Sequence, residues 1–130
     1  MKLNRIGLAL ILGAAILMVK PLTAHHSFDA EYDSRKVMTI TGYVTKLDWV
    51  NPHAYVFLDV KDESGNTDSY KVEMGPPYAL ARAGWSKDTV KVGDKITIEG
   101  AAQAKDGSKA GGSLPTTSMT LSTGRKLTMR

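Results

Sequence analysis

Three histidines are the imidazoles available to this chain, and two of them are adjacent at His25-His26. They follow directly on an apolar run that closes with Leu22-Thr23-Ala24. A cut after Ala24 makes His25 the first residue. Its ring nitrogen and the freed α-amine can then grip one metal ion together. Nitrogen ligands of this kind suit Cu(II), which prefers tetragonal geometry, and Zn(II) as second choice. A cut one residue earlier leaves Ala24-His25-His26, which chelates Cu(II) through amine, backbone amides and imidazole. His53 lies in the turn Val50-Asn51-Pro52-His53 and supplies a third nitrogen if the N-terminal arm folds back over that turn. Asp29, Glu31 and Asp48 are the carboxylates expected to orient a ring or complete the shell. The chain has no cysteine. Met38, Met74 and Met119 fall on apolar faces and are expected in the core.

A second kind of chemistry is recognition by ring faces. Tyr55 and Phe57 alternate outward from one strand, with Trp49 nearby, and such rings can stack sugars or bases. This is the alternative reading: a metal-independent module for an unknown protein or small ligand. Nucleic acid is disfavoured by the near-neutral charge of the chain after Ala24 and by the expected export, because phosphate binding needs a basic stripe. The segment Lys105-Asp106-Gly107-Ser108-Lys109 lacks the order of a phosphate loop. An enzyme is the less favoured reading. Ser27, His53 and Asp48 are the residue types of a hydrolytic triad, yet no nucleophile-elbow sequence surrounds the serine. A terminal histidine resembles the histidine brace of polysaccharide monooxygenases in that one residue only.

The residues before His25 carry an expected address. Lys2 and Arg5 precede the uncharged run Ile6 to Val19, and Thr23-Ala24 offers small residues for cleavage. These are the parts of a signal peptide over residues 1–24. The apolar run is shorter than the roughly 20 residues of a membrane span. The expected product is periplasmic or secreted, with no membrane contact after cleavage. Removing residues 1–24 takes away Lys2, Arg5 and Lys20 and no acidic residue, so the formal charge of +4 drops by three. What remains has the size of one domain.

The elements follow from periodicity. Residues 25–36 form a polar arm with Phe28 and Tyr32. Val37 to Trp49 is β-branched and alternating, but Leu47 and Trp49 fall on the opposite parity to Ile40 and Val44. That change predicts a bulge near Thr45-Lys46. Ala54 to Lys61 and Thr67 to Met74 flank a loop at Asp62–Asn66. Pro77 to Ala83 is expected as a short helix closed by Gly84. Lys95 to Gly100 is a fourth strand and Thr116 to Leu121 the last. Ala101 to Gly112, small and glycine-rich, is expected as a mobile loop. The order predicts an all-β fold over residues 37–130, a small five-stranded OB-like Greek-key barrel with one short helix between strands three and four. A β-sandwich needs about seven strands.

His25-His26-Ser27-Phe28, Gly42-x-Val44, Trp49-x-Asn51-Pro52-His53-Ala54, Gly84-Trp85 and Val92-Gly93-Asp94 together resemble a family of small exported bacterial proteins of unknown function. The resemblance covers nearly the whole chain after Ala24. It implies export and one small β-domain, and no activity. The expectation is an exported periplasmic binding protein holding a divalent metal at its terminal histidines.

Overall fold

The computed structural model describes the backbone of residues 23–130, and side chains from Ser27 onward. The expected signal peptide therefore lies almost wholly outside the described residues, as do the side chains of His25 and His26. Among the described residues, no helix is long and apolar enough to cross a membrane.

A helix, α1 (Thr23–Glu31), leads straight into the long strand β1 (Tyr32–Asp48). Then come β2 (Tyr55–Lys61), β3 (Thr67–Glu73), the short helix α2 (Pro77–Arg82) and β4 (Lys95–Ala104). Three short strands finish the chain: β5 (Ala110–Gly112), β6 (Ser118–Thr120) and β7 (Lys126–Thr128). β1 pairs with both β2 and β4, β2 with β3, β3 in parallel with β5, and β5 with β4. The ring β1-β2-β3-β5-β4 thus returns to β1 as a closed five-stranded mixed barrel of OB-like topology. Closure leaves the ring no free edge.

The residues dictate the bends. The register of β1 against β2 shifts between Val44 and Lys46, the bulge that the parity change predicted. Val44 points into the core on one side of it, and Leu47 packs against the core on the other. Gly42 lets β1 approach the β2 backbone closely. A Cβ there would lie 2.3 Å from the carbonyl oxygen of Asp59. Inside the ring sit Ile40, Val44, Val56, Leu58, Val72, Ile96 and Ile98, all buried. Leu80 of α2, Trp85 and Met129 extend the same cluster, and the Trp85 indole donates to the Thr128 carbonyl at 2.7 Å. Met74 and Met119 are buried as expected, and Met38 packs against the cluster from a half-buried position.

Two expectations about the elements are corrected. Ala101 to Gly112 is no mobile loop: β4 continues to Ala104, and β5 at Ala110–Gly112 is the strand that closes the barrel. Thr116 to Leu121 holds β6, which joins β4 outside the ring and hairpins with β7. Small residues occupy β5 because larger ones would not fit. A Cβ on Gly111 would meet Met38 Cε at 2.3 Å, and one on Gly112 would meet the Phe28 ring at 2.5 Å. The polar arm of residues 25–36 is the greater part of α1 and the opening residues of β1.

Candidate functional site

His53 lies in the loop between β1 and β2, after a cis Asn51–Pro52 bond. Its Nδ1 is 2.7 Å from Oε1 of Glu73, the last residue of β3. Register explains the meeting: Glu73 stands opposite Tyr55, two residues beyond His53. The other Glu73 oxygen accepts a hydrogen bond from the Tyr32 hydroxyl at 3.3 Å. Glu73 is thereby fixed by two donors, and its side chain is only 13% exposed. Burial, followed by the charges of Glu73 and Glu31, holds the Tyr32 hydroxyl well above the usual tyrosine range. It therefore stays a phenol and donates.

This arrangement sets the chemistry of the imidazole. A carboxylate at Nδ1 places the proton of neutral His53 on that nitrogen and leaves Nε2 with a lone pair. Carboxylate-backed imidazoles of this form are better bases toward a metal than free ones. Among the described residues the carboxylate paired with His53 is Glu73, a residue not among the three expected. Asp48 pairs with Lys46 at 2.9 Å, and Glu31 borders the same cleft as His53. Glu73 was missed because its alternation in β3 reads as a solvent-facing charge. The signal that could have found it is the cross-strand register after the Asp62–Asn66 hairpin.

α1 covers this end of the barrel. The Phe28 ring meets the Tyr32 ring at 4.9 Å between centroids, tilted by 47°. The Arg130 guanidinium lies 5.2 Å from the Phe28 centroid and donates to the Ser113 carbonyl at 2.8 Å. Between α1 and the barrel runs a cleft of about 370 Å³, bordered by Ser27, Phe28, Glu31, Pro52, His53, Tyr55, Glu73 and Arg130. The arm does fold back over the His53 turn, and Ser27, next to His26 in the chain, shares a cleft with His53. Among the described residues, no group of three or more His, Cys, Asp or Glu side chains is placed to hold a metal ion. His25 and His26, the other expected ligands, lie outside the described side chains. A larger depression of about 580 Å³ borders Ala30, Glu31, Tyr32 and the loop after β4, with no imidazole.

The aromatic candidates are placed separately. Tyr55 and Phe57 are half-buried on the outer face of β2. Lys71 Nζ lies 4.2 Å from the Tyr55 ring centroid and 6.0 Å from that of Phe57, and Lys46 Nζ lies 5.2 Å from Phe57. Trp49 packs against the core cluster. Tyr55 alone of the three borders the His53 cleft.

A closed barrel with a helix-capped cleft at one end is the class of protein that these features define. The chain belongs to a family of unknown function, DUF6152, whose pattern matches residues 14–113. No curated protein and no solved structure matches it.

Proposed function

We propose that this is an exported periplasmic binding protein that holds a divalent metal, copper before zinc, through His25, His26 and His53. The observation that carries the reading is the 2.7 Å contact from Glu73 to His53 Nδ1, in a cleft roofed by the helix that bears His25 and His26. Export with cleavage after Ala24 frees the amine of His25. Two nitrogens from the terminus and Nε2 of His53 then make a nitrogen-rich set suited to Cu(II). Family membership adds no activity to this reading.

The test is an intact-mass measurement on protein purified from the periplasm, followed by Cu(II) titration of the same material. A terminus at His25 or Ala24 with stoichiometric tight binding supports the assignment. Replacing His25 and His26 together by Ala should then abolish tight binding. Unchanged affinity in that variant would falsify the site.

The second reading is a metal-independent interaction face around Tyr55, Phe57 and Trp49. The half-buried rings on the outer face of β2 favour it. The ammonium groups already seated over Tyr55 and Phe57 disfavour it, because a stacking ligand must displace them. It predicts partner binding that ignores metal and fails in Tyr55→Ala.

A further inference from the structure

The same cleft carries two opposite charges that do not meet. Arg130 is oriented by two contacts, the Phe28 ring face beneath it and the Ser113 carbonyl at Nη1. A guanidinium stacked and tethered in this way keeps further N–H donors for a planar, bidentate acceptor. Among the described residues no carboxylate pairs with it. Glu31, at the end of α1, borders the same cleft and forms no ion pair among the described residues either. Glu73, by contrast, is occupied by His53 and Tyr32. The space between, about 370 Å³, is within the range of small-ligand sites, and Phe28, Pro52 and Tyr55 give it apolar walls.

We propose that this cleft takes a free amino acid with an apolar side chain, its carboxylate on Arg130 and its ammonium on Glu31. A single charge of either sign would leave one of the two groups unused, whereas a zwitterion satisfies both. The side chain rests against Pro52 and beside the Phe28 ring, whose face Arg130 covers. The inference stands apart from the metal reading, because none of these contacts needs an ion.

Calorimetric titration of chelator-treated protein tests it. The probes are L-leucine, N-acetyl-L-leucine, which lacks the ammonium, and L-leucinamide, which lacks the carboxylate. L-leucine should bind, and each blocked form should bind at least about tenfold more weakly, a difference of about 1.4 kcal/mol. Glu31→Gln should lower L-leucine to the level of the N-acetyl form, and Arg130→Gln to that of the amide. Both side chains are exposed, so neither variant threatens the fold. No saturable binding at about 10 mM, the weak end of measurable affinity, would overturn the proposal. So would binding that both variants leave unchanged, or a loss in one blocked form only, which marks a simple anion or cation site. Copper titration of the same material reports the metal reading separately.

Discussion

His53 and Glu73 face each other at 2.7 Å across the gap between a loop and the end of β3. The carboxylate is anchored in turn by the Tyr32 hydroxyl. If His53 binds metal, Glu73 controls how strongly. Glu73→Gln keeps the shape and an acceptor but removes the charge. Cu(II) affinity should fall about 10- to 100-fold, the usual effect of losing such a partner. Competition with a chelator of known affinity measures it, at constant pH because ligand protonation alone weakens binding.

Tyr32 links that pair to α1, and its hydroxyl has a signature in alkali. Its ordinary value is 10.0, and the folded protein raises it, chiefly by burial and then by the Glu73 and Glu31 charges. The unfolded chain releases this proton first as pH rises. The stabilisation is thus complete below about pH 10 and is lost progressively above it. Urea midpoints of the wild type should fall from pH 10 upward. Tyr32→Phe should lack that part of the fall and should lose about 1 kcal/mol at neutral pH with the hydrogen bond. Parallel slopes in the two proteins would refute this.

Gly112 seats α1 on the barrel. A Cβ there would lie 2.5 Å from Phe28 and 2.7 Å from Tyr32, both side chains that can move. Gly112→Ala should cost about 1–3 kcal/mol as an overpacked site. It should also loosen α1, seen as faster proteolysis near Phe28. Gly42→Ala differs, because its Cβ would strike backbone, the Asp59 carbonyl at 2.3 Å. That change should disrupt the barrel itself, with loss of the cooperative urea transition.

Trp85 ties α2 to the C-terminal hairpin through its indole bond to the Thr128 carbonyl. Trp85→Phe keeps most of the buried ring and leaves that carbonyl without its donor. The expected loss is about 1–3 kcal/mol in urea unfolding.

The barrel was legible where side-chain alternation carries it. Val56 and Leu58 against Tyr55 and Phe57, the bulge beside Thr45 and the helix after Pro76-Pro77 all follow from local pattern. β5 was not legible. Ala110-Gly111-Gly112 has poor strand propensity and no alternation, and it is a strand because only residues this small fit under Met38 and Phe28. The site shows the same division. His53 stands out in the sequence by type and by its turn. Its partner Glu73 is one charged residue among many, singled out only by a cross-strand register. Arg130 is identified by tertiary contacts alone.

The pairing of β1 with β4 has a consequence for timing. Tyr32 lies beside Ala104 and Tyr43 beside Lys95, so the first strand waits for partners more than fifty residues further along. β3 cannot seal the ring until Ala110–Gly112 is available. Contacts so distant in sequence make folding slow relative to helical domains of equal size. Nearly the whole chain must be present before the barrel can close. If the chain is exported as proposed, such late closure favours its crossing the membrane before it folds.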